Sequence, residues 1–273
     1  MTEEPKTGGF SAVEIFKNDK APWVLFIHPV GGSANTWKEQ TEAFAADYNL
    51  LLAEFHSEHR DGKHGYEPLT MEDVCTRLFA LLNDRNIERV YIVSLCGGSL
   101  ISLAFAALYP DIVGGMVMVS GILALNTPEK YALKLGQFFK NLVPYMLAYR
   151  VMVYVIMPGK IHRKSRRIII QEARSIGRAE FFRWMNFYPA MLDNDSYIDR
   201  LNSQKSALHS LYIMGSGDKK FLPLIRQYIG RLNNARIEVL PECGHVCTIE
   251  QADMFNKTAL DFIGSLIEME QKR

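Results

Sequence analysis

The chain has 273 residues, enough to bury a sizeable core, and one domain carrying an insertion fits that length better than two equal domains. Thirty-one Lys and Arg against thirty Asp and Glu leave a net charge of +1, so no whole-protein field draws the chain to nucleic acid or to an anionic membrane. Residues Met1 to Lys6 lack a basic region followed by an apolar stretch, and four unevenly spread cysteines are too few for a disulfide scaffold, so a reducing cytoplasm is the expected location.

In chain order, Phe10 to Phe16 alternates loosely and suggests an antiparallel edge strand, and Trp23 to Ile27 is a compact β-prone run ending at Gly31-Gly32. Asn49 to Phe55 is a further strand run, followed by a polar loop with His56, Glu58, His59, Asp61 and His64 that reads as solvated, with a substrate-contact role open. Thr70 reads as an N-cap with Asp73 three residues on, ahead of Val74, Leu78, Leu81 and Leu82 at helical spacing. Val90 to Val93 is a strand, Ser99 to Leu108 a helix stopped by Pro110, and Val113 to Val119 a strand. Leu208 to Met214 and Arg236 to Leu240 supply two more strands before a last helix over Ile249 to Ile267. Strands alternating with helices predict an α/β fold: a mostly parallel central sheet with helices on both faces.

The alternation fails over residues 122–205, which show helical patterns broken at Pro128, Pro144, Pro158-Gly159 and Pro189. Helices inserted there would cover the carboxyl edge of the sheet as a helical cap. The greasy run Leu142 to Met157 is interrupted by Pro144 and Arg150 and is short for a bilayer span, so it reads as a lid or core helix. Lys160, Arg163, Lys164, Arg166, Arg167, Arg174, Arg178 and Arg183 stand against only Glu172 and Glu180; a solvated face is the simpler reading, an attraction for an anionic substrate or carrier the sharper one. The segment's aromatic residues, among them Phe138, Phe139, Tyr145, Tyr149 and Phe181, are core by default, with some expected to line an apolar acyl pocket.

The sharpest chemical signal is Ser94-Leu95-Cys96-Gly97-Gly98, which leaves a strand and opens a helix. A nucleophile at such a turn is strained and needs small neighbours so that strand and helix can approach, and the helix N-terminus favours a thiolate. Gly215-Ser216-Gly217-Asp218 places an acid past one strand end, and Gly244-His245 a histidine past the next. The chain order Cys96, Asp218, His245 is that of a nucleophile, acid and base delivered to one edge of a parallel sheet. His28-Pro29-Val30-Gly31-Gly32 would supply an oxyanion loop, with the N–H groups of Val30 and Gly97 as donors and His28, Gly31 and Gly32 bracing the loop.

With these motifs the chain resembles the α/β-hydrolase superfamily, in particular its capped esterase, lipase and C–C hydrolase members. His28 to Ser33 resembles the oxyanion loop and Ser94 to Gly98 the nucleophile elbow. Gly215 to Asp218 resembles the acid loop, and Gly244-His245 with Glu250 the histidine loop and its following helix; residues 122–205 match the cap in position only. The resemblance implies a core of residues 1–121 and 206–273 around a cap of 122–205. Cys96 stands where serine is usual, Ser94 and Pro29 where glycine is common. A cysteine elbow is similar to those of dienelactone hydrolases and polyhydroxyalkanoate synthases.

The expectation is therefore hydrolysis of a carboxylic ester or thioester through a covalent Cys96 acyl-enzyme. Acyl transfer through the same thioester, and a non-catalytic ligand-binding role, stay open. The expected partner is a small acyl substrate, free or carrier-linked; no nucleic acid and no stable membrane insertion are expected. The spacing of Cys243, His245 and Cys247 does not match common zinc patterns, and no glycine-rich phosphate loop is present, so no metal and no cofactor are expected.

Overall fold

The computed structural model describes residues 10–29, 31–55, 70–126, 130–131, 134, 142–191, 194–204 and 208–272. Seven strands form one sheet: β1 (Phe10–Ile15), β2 (Trp23–Ile27), β3 (Asn49–Phe55), β4 (Val90–Leu95), β5 (Val113–Val119), β6 (Ser210–Gly215) and β7 (Ala235–Leu240). Their spatial order is β1-β3-β2-β4-β5-β6-β7; β1 pairs antiparallel with β3 and every other pair is parallel. All seven follow the apolar runs of the sequence, the loosely alternating first one at the edge.

Strands β2 to β6 are buried on both faces, which is why they read as apolar runs. Along β2, Leu25 and Ile27 join one core while Val24 and Phe26 join the other. The first core is closed by α2 (Met71–Asn83) and α3 (Gly98–Leu108), the second by α1 (Lys38–Ala45) and the last helix. Helix α2 opens with a complete capping box: Thr70 accepts from the Asp73 N–H, and the Asp73 carboxylate accepts from the Thr70 N–H.

Between β5 and β6 the described residues form α4 (Tyr145–Ile156), α5 (Arg163–Met191) and α6 (Asp195–Ser203), and no strand. Pro144 sits at the N-cap of α4, and the long α5 breaks at Gly177, whose φ of +84° turns the chain out of helical geometry. After β6 come α7 (Phe221–Tyr228), the short α8 (Cys247–Glu250) and α9 (Ala252–Gln271). The final helix expected over Ile249 to Ile267 is thus two, parted at Gln251 with φ −140°. Helices α1 and α7, eight residues each, carried no clear signal in the sequence. No helix among the described residues is long and apolar enough to cross a membrane.

Candidate active site

Parallel strands β4, β6 and β7 all end at one edge of the sheet, and the loops that leave them carry Cys96, Asp218 and His245. Cys96 directly follows β4 with φ +51°, a left-handed conformation that a side-chain-bearing residue holds at a cost of about 1–3 kcal/mol. Surrounding bonds hold it there: the Cys96 N–H donates to Val119 O at 2.9 Å, and its carbonyl accepts from the Ser99 N–H and from Ser99 Oγ at 2.6 Å. Ser99 Oγ in turn accepts from the Ile122 N–H at 2.9 Å, tying the elbow to the end of β5. Gly98 must lack a side chain, since a Cβ there would lie 2.8 Å from the carbonyl oxygens of both Ile27 and His28. Cys96 is partly exposed, whereas Cys75, Cys243 and Cys247 are buried.

The acid and histidine loops lie side by side. Gly217 N–H donates to Cys243 O at 2.7 Å, and a Cβ on Gly215 would collide with the carbonyls of Cys243 and Gly244. Asp218 is buried; its Oδ1 accepts from the Phe221 and Lys220 N–H groups at 3.0 and 3.3 Å, leaving Oδ2 for His245 Nδ1 at 2.7 Å. Burial pushes the Asp218 carboxyl up, but the His245 charge and these hydrogen bonds outweigh it and hold the group below the usual carboxylate range. Burial likewise works against a charged His245, yet Asp218 and then the hydrogen-bonded Cys96 side chain raise its pKa from 6.5 to about 10. With Nδ1–H aimed at Asp218, the other ring nitrogen is left for a second partner. The arrangement favours an imidazolium beside the sulfur.

Three further contacts fix the histidine. Ser120 Oγ, just past β5, donates to His245 O; the ring packs on Phe221 with centroids 4.8 Å apart; and the His245 N–H donates to Nδ1 of His162 at 3.2 Å. His162 is buried and comes from the segment between α4 and α5. Its Nδ1 also lies 3.4 Å from Glu250 Oε1, but one nitrogen cannot both accept the His245 N–H and donate a proton to Glu250. Burial lowers the basicity of His162, which agrees with a neutral ring accepting through Nδ1. Glu250 is served instead by Ser165 Oγ on one oxygen and by the Gly244 N–H at 2.6 Å on the other. A Cβ on Gly244 would strike the His162 ring, so this loop has glycine for a reason the sequence did not disclose.

The expected oxyanion donors stand differently. Gly97 caps α3, and no acceptor among the described residues takes its N–H, while Val30 lies outside the described residues. His28 is buried, with Nδ1 2.8 Å from Pro29 O and Nε2 accepting from the Phe55 N–H at 3.5 Å, a bracing geometry; Gly32 N–H closes a turn onto Pro29 O. Gly31, at φ +74°, faces Tyr149. Gly31, Tyr145, Tyr149, Ala173 and Phe181 line a small apolar niche. Burial and then the charges of Glu172 and Cys96 push the Tyr149 phenol up, and burial and then Cys96 do the same for Tyr188. Sequence reasoning had no means of selecting His162, Ser165 or Tyr188, which carry no motif. The loop with His56, His59 and His64, and Phe138 and Phe139, lie outside the described residues. Among the described residues no three His, Cys, Asp or Glu side chains come together as a metal site.

A sequence profile of the alpha/beta hydrolase family matches residues 24–258. The 2-hydroxy-6-oxononadienedioate/2-hydroxy-6-oxononatrienedioate hydrolase of Paraburkholderia phymatum is 28% identical over 263 residues, covering 88% of this chain and 86% of that protein. Among solved structures, the enol-lactonase from Burkholderia xenovorans LB400 is similar with TM-score 0.77 at 17% identity, over 93% of this chain and 96% of the other. A thermophilic esterase from Thermogutta terrifontis is similar with TM-score 0.74 at 16% identity, over 94% and 93%.

Proposed function

The chain belongs to the alpha/beta hydrolase family, and from that premise we propose that it cleaves a carboxylic ester or thioester through a covalent acyl-Cys96 intermediate. One observation carries the reading: buried Asp218 Oδ2 lies 2.7 Å from Nδ1 of His245 at the strand edge, and the Cys96 side chain, held in a left-handed elbow, also raises the pKa of that ring. The names of its relatives, a C–C hydrolase and an enol-lactonase, support attack at a carbonyl group.

In this reading His245 holds the proton taken from Cys96, and the sulfur attacks the acyl carbon. The carbonyl oxygen gathers negative charge and rests on the N–H groups of Gly97 and Val30. Asp218 keeps the ring in the tautomer that serves sulfur and stabilises its positive charge. The tetrahedral adduct collapses as His245 gives its proton to the leaving group, producing a thioester on Cys96. Water, deprotonated by His245, then releases the acid and restores the thiol. Residues 122–205 act as a cap over this chemistry, a role supported by the packing of Tyr149 beside Gly31 and by the contact of His162 with the histidine loop. The niche beside Gly31 favours an apolar acyl group.

Intact-mass spectrometry after exposure to a panel of acyl esters and thioesters tests the proposal. The parent should gain one acyl mass that maps to Cys96, and the Cys96→Ala variant should neither gain it nor turn over while remaining folded. Hydrolysis of an activated ester by the alanine variant at the parent rate would sink the assignment. Product analysis with added amine or alcohol acceptors separates hydrolysis from acyl transfer.

A further inference from the structure

Helix α4 has apolar side chains on two sides, and one of them is largely exposed, with no covering element among the described residues. Tyr149 and Val153 are buried, as expected for a helix laid over a core. Leu147, Val151, Tyr154 and Val155 are each more than half exposed, at 52%, 54%, 58% and 56%. Positions 147, 151, 154 and 155 recur at steps of four, three and one, so they form one stripe along the helix. Leu142 before the helix is also exposed. A monomeric protein in water rarely leaves such a stripe uncovered without a use for it.

Along the chain, the charge flanking the stripe is of one sign. From residue 130 to residue 171 the sequence contains nine Lys or Arg and no Asp or Glu, in a chain whose net charge is only +1. Arg150 is exposed and lies between Leu147 and Tyr154 on the same side of α4. The Arg166 guanidinium sits 4.7 Å from the centre of the Tyr154 ring and donates to the carbonyls of Met157 and Gly159, which joins the start of α5 to the stripe. Lys160, Arg163 and Arg167 are exposed, and none of them has an ion-pair partner among the described residues.

We propose that the outer face of α4, with the basic turn that follows it, docks this protein onto an anionic lipid surface. The apolar stripe enters the boundary between headgroups and acyl chains, while long basic side chains keep their charges at the phosphate level. The helix lies in the interface and does not span it: twelve residues reach about 18 Å, against an apolar bilayer core of about 30 Å. Both halves of the surface fit a bilayer, since neither scattered apolar residues nor a charge run alone would do so. Docking in this way would set the inner face of α4, with Tyr149 beside Gly31, directly under the membrane. The inference does not depend on Cys96 being the nucleophile.

The test is vesicle co-sedimentation of the full chain with phosphatidylcholine vesicles, with and without phosphatidylserine, at low and high salt. The parent should bind the serine-lipid vesicles, bind neutral ones weakly, and come off as salt rises. Replacing Lys160→Gln, Arg163→Gln and Arg167→Gln together should weaken partitioning by roughly fivefold per charge removed. Replacing Leu147→Gln, Val151→Gln and Val155→Gln should abolish it, and near-UV circular dichroism should show both variants folded, because every substituted side chain is exposed. Equal binding by parent and folded variants overturns the proposal. So does a dimer that the stripe variant dissolves, or binding to an acidic carrier protein, if either occurs without vesicle binding.

Discussion

Replacing Asp218→Asn isolates the electrostatic half of the relay. The carboxylate accepts at 2.7 Å from His245 Nδ1, and both groups are buried. A rise of the His245 pKa from 6.5 to about 10 corresponds to about 5 kcal/mol of preference for the imidazolium, shared between Asp218 and Cys96. The amide keeps the size of the carboxyl, and its oxygen can still accept from the Phe221 and Lys220 N–H groups, so the loop should hold its shape. What is lost is the charge and the certainty of tautomer, because the amide N–H₂ can donate to Nδ1 and turn the ring's proton toward sulfur. Burial, which opposes a charged ring, is then countered by Cys96 alone, and His245 should titrate well below 10. Turnover of an activated ester should fall by about 10²- to 10⁴-fold, the lower end allowing for the intrinsic nucleophilicity of sulfur. The paired assays are steady-state kinetics and an NMR titration of the His245 ring. A variant with parent turnover and an unmoved His245 titration would refute the electrostatic reasoning.

Three other outcomes follow from the geometry. Gly98→Ala should lower the denaturant midpoint by an amount equivalent to about 1–3 kcal/mol, because the new Cβ meets two carbonyl oxygens at 2.8 Å; an unchanged midpoint would mean the backbones part easily. His162→Ala removes the acceptor of the His245 N–H and should lower kcat by up to about a hundredfold through misplacement of the ring, with KM for a small ester little changed. A fall in KM-linked binding alone would point to a role in the cap and none in the histidine loop. The Asp218–His245 pair also predicts a pH profile of stability. A histidine with a raised pKa contributes fully below its unfolded value of about 6.5 and loses that contribution as pH rises through about 10. A carboxylate with a lowered pKa contributes above about 3.9 and loses it as pH falls through its folded value. Denaturation across pH should show both flanks in the parent and both flattened in Asp218→Asn, since they describe one ion pair.

Much of this architecture was legible before any coordinates because its determinants are local. A strand buried on both faces must be a short apolar run, as Trp23 to Ile27 and Val113 to Val119 are, and a capped helix must announce its start, as Thr70 and Asp73 do. The elbow was legible for the same reason: Cys96 followed by two glycines is what a left-handed residue wedged between strand and helix requires. Helix α1 escaped because its eight residues hold few apolar positions, only Gln40 and Phe44 being buried, and α7 because Pro223 interrupts so short a pattern.

From sequence alone came the sheet, its parallel sense, and the order in which a sulfur, a carboxylate and an imidazole reach its edge, because strand direction and loop position follow from periodicity and turn chemistry. Only tertiary structure decided what touches them. That His162 receives the N–H of a residue 83 positions away, that Gly244 is bare to admit its ring, and that one side of α4 meets Gly31 while the other stays exposed all depend on where inserted helices come to rest. Such contacts are set by packing between elements distant in the chain, and no residue pattern along the chain encodes the distance between them.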